Sequence, residues 1–404
     1  MGEPSVVYLI KVEPGCNNNK FYRMISKGDH FAVEYGRVGA GSQHTTYPIS
    51  QWNKKYNEKI KKGYVDRTEL VEDLIAKEKP VGNDGFKEIE NKAIAEIVSR
   101  LQAMAKKAVS DNYTVSSSQV TMAMVMAAQE QLAKMTTMAT VAVDEFNKAL
   151  IELFGIIPRK MGQVSAYIAT SPGDYGRIIE REQDLLDVMR GQVYVPPKEN
   201  TVAPSSDGKS QTILEEKGLI FEETTADDIV KIKAALGSCA DKFYRAWRVT
   251  NLSTQQRFDE YVKDGMKTKL LWHGSRNENW WSIVGSGLVL RPTNAVITGK
   301  MFGYGIYFAT KARKSLGYTS LSGSYWAHGS SPSAFMGLYE VAYGKPYDVH
   351  SFDSKYYSLN YEGLQKMCPG ANCLHAHEGQ MLRNDEIIVY QECQTTIKYL
   401  VELK

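Results

Sequence analysis

The chain has 404 residues and a net charge of +3, from 49 Lys+Arg against 46 Asp+Glu. With 43% hydrophobic and 24% charged residues, wholesale disorder is excluded, and roughly 100–200 residues per domain predicts two to four domains. No apolar run approaches the ~20 residues that span a bilayer, and five cysteines are too few for a disulfide scaffold. Met1-Gly2-Glu3-Pro4-Ser5 has no basic segment ahead of an apolar one, so no secretory leader is expected and a reducing compartment is.

Residues 5–50 predict an antiparallel meander. Val6-Val7-Tyr8-Leu9-Ile10, Lys20-Phe21-Tyr22-Arg23-Met24 and His30-Phe31-Ala32-Val33-Glu34-Tyr35 are short, β-branched and aromatic, and turn residues separate them. Trp52 to Lys62 predicts an amphipathic helix with Lys54, Lys55, Lys59, Lys61 and Lys62 on its wetter side. Residues 1–64 hold ten Lys/Arg and five Asp/Glu, so the positive excess lies there.

Residues 88–192 predict helices. Ala93, Ile94, Ile97, Val98, Leu101 and Met104 recur at helical spacing. Ser116-Ser117-Ser118 is read as the cap of a helix through Met122, Val125 and Met126 to Leu132. Phe146–Phe154 and Tyr175–Met189 predict two more. The methionines are read as bundle core. Residues 195–212 carry two adjacent prolines, a third at 204, and Asn, Ser and Gly, which predicts a linker. Strands and helices mix from Ile213 on, and Ile387–Tyr390 and Ile397–Val401 predict strands near the end.

The chain has no G-x-G-x-x-G after a strand, no Walker A loop and no H-E-x-x-H. Dinucleotide hydride transfer and P-loop phosphoryl transfer are therefore not expected. The unusual segments are Leu270-Leu271-Trp272-His273-Gly274-Ser275-Arg276, then Thr298-Gly299-Lys300-Met301-Phe302-Gly303-Tyr304-Gly305-Ile306-Tyr307-Phe308-Ala309, then Lys314-Ser315-Leu316-Gly317-Tyr318. Dense glycines beside aromatics suggest backbone brought close to a flat ligand. Asn384-Asp385-Glu386 sets a carboxylate at the start of a strand.

In this order, these segments resemble the catalytic domain of the poly(ADP-ribose) polymerases over residues 213–404. The resemblance implies the following roles. His273 hydrogen-bonds the adenosine-side ribose of NAD+. The Gly274 backbone, helped by Ser315, takes the nicotinamide carboxamide. Tyr307 and Tyr318 sandwich the nicotinamide ring, and Glu386 is the catalytic carboxylate of a set with His273 and Tyr307. Ser275 and Asn279 contact the adenosine side, and Lys314 matches a lysine near the acceptor. An arginine expected near Gly287-Leu288 is Val289 here, with Arg291 two residues on.

The chemistry fits these residue types. Breaking the nicotinamide–ribose bond builds oxocarbenium character at the anomeric carbon, which a carboxylate stabilises while polarising the acceptor hydroxyl. Aromatic faces hold the ring and exclude water.

Upstream, Tyr35-Gly36-Arg37-Val38-Gly39, with Trp52 and Gly63-Tyr64, resembles a WGR domain with Trp→Tyr at its first signature position. This implies DNA-break contacts by Tyr35, Arg37 and Trp52, with Tyr35 able to stack on a terminal base or ribose. Phe154-Gly155-Ile156-Ile157-Pro158 and Glu182-Gln183-Asp184-Leu185-Leu186-Asp187 resemble the family's helical regulatory domain. Glu180 and Asp187 match acidic positions facing its active site, and a third reads Gln183, which implies looser autoinhibition.

The expected fold is an α+β multidomain chain. It comprises a small antiparallel WGR sheet over 1–86, an all-α regulatory bundle over 87–194, a linker over 195–212, and a mixed α+β ADP-ribosyltransferase domain over 213–404. The expected function is DNA-break-stimulated transfer of ADP-ribose from NAD+ to protein acceptors, itself included, with elongation to a polymer. The rivals are a mono-ADP-ribosyltransferase, a DNA-end-binding scaffold with an inactive transferase fold, and an NAD+ glycohydrolase. Cys368, Cys373, His375 and His377 offer zinc-ligand types at tight spacing. They are read as an irregular loop, and no metal is expected. The expected compartment is the nucleus of a eukaryote, or the cytoplasm for a prokaryote or virus.

Overall fold

The structure, a computed structural model, describes residues 6–70, 86–113, 120–193, 211–262, 265–290, 301–325, 327–380 and 382–404. The Ser116–Ser118 cap, Thr298–Lys300, Arg291 and linker positions 195–210 lie outside the described residues. The fold is α+β and multidomain, in two compact units. One comprises Met1–Gly82 and Lys106–Val193, the other Asn83–Ala105 and Tyr194–Lys404. Among the described residues no helix is long and apolar enough to cross a membrane.

In the first unit, strands β1 (Val6–Glu13), β2 (Asn18–Ser26), β3 (His30–Arg37), β4 (Gln43–Pro48) and β5 (Val65–Asp66) form a sheet of order β4-β3-β2-β1-β5. Every pairing is antiparallel. Period-two alternation sends Leu9, Tyr22, Met24, Phe31 and Val33 to one face, where they are buried. Helix α1 (Trp52–Lys61) covers that face, its Trp52 ring edge-on to Phe31 at 5.1 Å. Lys59 departs from the expected wet side. Its ammonium lies 4.1 Å from the Tyr22 ring centroid, a cation–π contact that accommodates the charge on the aromatic face. Burial is the main cause of its lowered pKa.

The same unit holds α-helical segments. The long helix α2 (Lys92–Asn112) belongs to the second unit up to Ala105 and to this one from Lys106, and is followed here by α3 (Met122–Thr136), α4 (Val143–Ile156) and α5 (Tyr175–Val193). The α3 cap is Thr121, whose side chain accepts from Met124 N at 3.0 Å. Phe146 on α4 and Tyr175 on α5 stack at 3.9 Å. Buried Arg159 pairs with buried Glu182 at 3.1 Å. The Arg159 carbonyl accepts from Asn19 on β2 at 2.9 Å, which ties the sheet to the helical part of this unit.

The second unit has a nine-stranded mixed sheet, flanked by short helices. After α6 (Ile213–Glu216), β6 (Leu219–Glu223), α7 (Ala226–Leu236), β7 (Phe243–Asn251) and α8 (Leu252–Tyr261) come β8 (Thr268–Gly274), α9 (Trp280–Ser286), β9 (Ile306–Ala309) and α10 (Ala312–Leu316). The remainder is β10 (Ala334–Ala342), β11 (Pro346–Val349), α11 (Tyr361–Met367), β12 (Cys373–Ala376), β13 (Glu386–Val389) and β14 (Thr395–Leu403). The strand order is β11-β12-β13-β9-β8-β10-β14-β7-β6. Central β10 and β14 are buried along most of their length, which explains their nearly continuous apolar sequence. Ile232, Leu236, Trp272, Met336 and Leu338 form one core around them; Phe302, Leu364, Leu374 and Ile388 form another under the β12–β13 end.

Two buried carboxylates brace this unit. Asp228, which caps α7 from its third residue, takes two bonds from Arg248, at 2.7 and 2.9 Å, and one from the Tyr399 hydroxyl at 2.8 Å. Glu402, 1% exposed, is held between Arg100 on α2 at 2.7 Å and Arg245 on β7 at 2.8 Å. Burial raises the Glu402 pKa, but the two arginines outweigh it and the net shift is downward.

Breaking a buried pair from one side costs about 3–5 kcal/mol. Both arginines are about one-third exposed and can rehydrate, so Glu402→Gln should cost the lower end, about 3 kcal/mol, by urea unfolding. The native carboxyl is held below its ordinary value. Its stabilisation is therefore complete above the ordinary glutamate range and lost as pH falls through the lower native value. The acid limb of the stability profile should flatten in Glu402→Gln.

Candidate active site

The site residues of the second unit gather where β8, β9, β13 and α10 meet. The central contact is backbone to backbone. A Cβ on Gly274 would stand 1.9 Å from the Ser315 carbonyl oxygen, so only glycine lets the end of β8 lie against α10. The Ser315 hydroxyl, itself buried, donates to Trp272 O at 3.0 Å and fastens α10 to the same strand.

β9 joins β8 through Trp272 and Ala309, and Ala309 in turn faces Glu386 on β13. This register brings His273, Tyr307 and Glu386 to one end of the sheet. His273 Nδ1 is 3.0 Å from Tyr307 O, and its ring lies edge-on to Phe308 and Tyr339 at 5.8 and 6.1 Å. The Tyr307 hydroxyl accepts from Phe302 N at 3.0 Å and donates to Gly303 O at 3.1 Å. Those bonds lock the ring against the glycine-aromatic segment. Burial raises the Tyr307 pKa strongly; the Phe302 amide opposes the rise, and the charges of Glu386 and Tyr318 add to it. Glu386, Tyr307 and Tyr318 thus share one electrostatic neighbourhood.

Glu386 opens a four-residue strand that is buried throughout. A carboxylate in such a place needs a partner. Lys314 on α10 supplies it, through an ion pair to Glu386 Oε1. Tyr318 follows α10 and is 42% exposed. Ser275 and Asn279 lie beyond Gly274. Asn279 Nδ2 donates to Ser275 Oγ at 3.0 Å, and buried Asn279 Oδ1 accepts no hydrogen bond among the described residues. That oxygen is an acceptor available to a ligand. Sequence reading did not foresee that the residue before Glu386 is also anchored. Asp385 accepts from Glu378 N at 2.8 Å and lies 3.0 Å from His375 Nε2. No local motif carries that signal, because His375 arrives from β12.

The cysteine–histidine segment, read from sequence as an irregular loop, is in part a paired strand, with Cys373 and His375 on β12. Cys373 is buried, its Sγ turned to Tyr343 O at 3.3 Å and its thiol pKa pushed up to about 12 by burial. His375 and His377 instead gather with Asp348.

In the first unit, Tyr35 is partly exposed, with its ring 5.9 Å from Tyr22. Arg37 is engaged by backbone. It donates to Asn17 O at 2.7 Å, Met161 O at 3.1 Å and Gly162 O at 2.7 Å. Trp52 is half-buried against Phe31. Gln183 exchanges two 2.8 Å bonds with Gln129 and donates to Asp187 Oδ1 at 3.1 Å.

Comparison with known proteins gives two family matches: the poly(ADP-ribose) polymerase catalytic domain over residues 229–404, and the WGR domain over residues 5–71. The chain is 34% identical over 226 residues to uncharacterized protein 101L of Invertebrate iridescent virus 6, covering 54% of this chain and 90% of that protein. It is 31% identical over 168 residues to putative poly [ADP-ribose] polymerase-like 100L of the same virus, covering 40% and 87%. To poly [ADP-ribose] polymerase 2 of Homo sapiens it is 32% identical over 181 residues, covering 36% and 29%.

Gly274→Ala tests the pinning contact. Its Cβ forces α10 to move, so unfolding should cost about 1–3 kcal/mol less. Ser315→Ala, which removes one hydrogen bond, should cost about 1 kcal/mol. A Gly274→Ala protein as stable as its parent in urea would show that β8 and α10 are not pinned there.

Proposed function

Because this chain belongs to the poly(ADP-ribose) polymerase family and is an NAD+ ADP-ribosyltransferase, we propose that it elongates ADP-ribose chains on protein acceptors when its WGR module meets a DNA break. The observation that carries the proposal is the convergence of His273, Tyr307 and Glu386 at one sheet end, beside the Gly274–Ser315 contact. We assign a WGR module to 1–86, a regulatory bundle to 87–194 and the catalytic domain to 213–404.

The reaction needs NAD+ as substrate and no metal. The C1′–N bond to nicotinamide breaks, and its electron pair leaves on the ring nitrogen. Positive charge builds on the ribose carbon and ring oxygen. Glu386 stabilises that charge and takes the proton of the acceptor hydroxyl, whose oxygen bonds to C1′. Gly274 reads the carboxamide through its backbone, with Ser315 beside it. Tyr307, locked through its hydroxyl, gives a fixed aromatic face, and Tyr318 gives the opposing one. His273, Ser275 and Asn279 hold the adenosine side. Lys314 orients Glu386 before the acceptor arrives.

Tyr35 supplies a stacking face for DNA. Arg37 and Trp52 would act at the break from positions fixed by the Met161–Gly162 carbonyls and by Phe31. Exposed Lys20, Lys54 and Lys61 add phosphate contacts.

Labelled NAD+ with and without a 5′-phosphorylated nicked duplex tests this reading. The nick should raise nicotinamide release many-fold and give a high-mass smear on a denaturing gel. Release without a smear would support single-unit transfer, and release indifferent to DNA would remove the break-sensing role. Glu386→Gln should lower turnover by about 10²–10³-fold, the range for removing one transition-state partner. The test of autoinhibition should delete 106–193 and keep Arg100, since Arg100 holds buried Glu402. DNA-free activity should then rise; no gain would sink the idea of a blocking bundle.

A further inference from the structure

A histidine cluster at the outer edge of the large sheet has no part in the transfer reaction. β11 and β12 run parallel, and their register sets Asp348 opposite His375. His377 follows two residues later. Alternation along extended backbone puts it on the same face as His375, and His377 N donates to Val349 O at 2.9 Å, which carries the ladder past the end of β12. Asp348 Oδ1 lies 2.7 Å from His377 Nε2 and 3.7 Å from His375 Nδ1. One ligand atom from each of the three falls within 4.8 Å of the others. The His375 and His377 rings stack at 3.9 Å, and His350 stacks on His377 at 4.3 Å.

The His375 tautomer already suits a metal. Its Nε2 is 3.0 Å from Asp385 Oδ2. A carboxylate oxygen only accepts, so the ring proton sits on Nε2 and the lone pair on Nδ1. The Tyr343 hydroxyl, 2.9 Å away, donates to that lone pair. An imidazole anchored through one nitrogen by a carboxylate, with the other nitrogen bare, is how proteins orient histidine ligands. An ion at Nδ1 displaces the Tyr343 hydrogen bond, and by binding Asp348 and His377 it takes the place of the proton between them.

We infer that Asp348, His375 and His377 form a binding site for a divalent transition-metal ion of the zinc type, which ties β11 to β12. Two neutral imidazoles and one carboxylate match zinc's preferred donors, and three protein ligands leave a position for water. Asp348, 49% exposed at its side chain, leaves a path for entry. The cysteines are not ligands, since Cys373 is committed to the Tyr343 carbonyl. The site lies beside the catalytic strand: Ala376 pairs with Glu386, and Asp385 joins the two places.

The test uses the full chain with Co2+ as spectroscopic probe, and Zn2+ in competition with a chromogenic chelator. One equivalent should bind saturably, with visible d–d bands and no thiolate-to-cobalt charge-transfer band. His377→Ala and Asp348→Asn should each weaken binding at least ~10-fold, and Asp385→Asn, acting through His375, by about 10–100-fold. Melting curves without metal check that the variants fold, and the parent spectrum carries the test if one does not. Absence of saturable binding, undiminished binding by the Asp348→Asn/His377→Ala double variant, or a thiolate band would each overturn the inference.

Discussion

The second unit is organised around one steric constraint: the absence of a Cβ at residue 274. With the Ser315 carbonyl 1.9 Å from where that atom would stand, β8 and α10 can touch backbone to backbone. Everything in the site follows from that approach. α10 lies near enough for Ser315 to bond Trp272 O, and its preceding residue, Lys314, meets Glu386. A wider gap would leave Glu386 buried without a cation, a cost that a short strand could not bear. The packing of β8 against α10 therefore depends on one missing methyl group.

Positioning of the site is indirect. Glu386, Tyr307 and His273 sit on three neighbouring short strands, and no residue of the set is adjacent in sequence to another. Rigidity comes from groups around them. The Tyr307 hydroxyl is fixed from both sides by Phe302 and Gly303, Asp385 is fixed by Glu378 N and His375, and the sheet behind is braced by Asp228 and Glu402. Each of these bonds trades side-chain freedom for a defined position before substrate arrives, which is where electrostatic catalysis gains most.

Much of this was legible in the sequence. Strand periodicity located β1 to β3, helical spacing located α3 to α5, and the His-Gly-Ser and glycine-aromatic segments marked the strand mouth. Local chemistry was less legible where a rival signal lay close. Thr121 caps α3, because its side chain reaches Met124 N, although three serines nearby carry the same propensity. Lys59 looked solvated by composition, but its stem and charge lie on Tyr22. What sequence could not show is long-range pairing. Arg100 reaches Glu402, Arg37 is held by the Met161 and Gly162 carbonyls, and Asp348 joins His375 only because β11 and β12 are parallel neighbours. The cysteine–histidine segment was read as an irregular loop, but part of it is strand β12, and its register with β11 sets His375 opposite Asp348.

The central claim is that the Gly274–Ser315 junction is where the nicotinamide end of NAD+ is read. The most direct measurement is a crystal structure of the chain with a nonreactive benzamide, which mimics the nicotinamide ring and carboxamide. The account predicts the carboxamide within hydrogen-bond distance of the Gly274 backbone and the Ser315 hydroxyl, with the ring between Tyr307 and Tyr318 and Glu386 beside it. A benzamide bound elsewhere, or one held with its carboxamide turned away from Gly274, would contradict it.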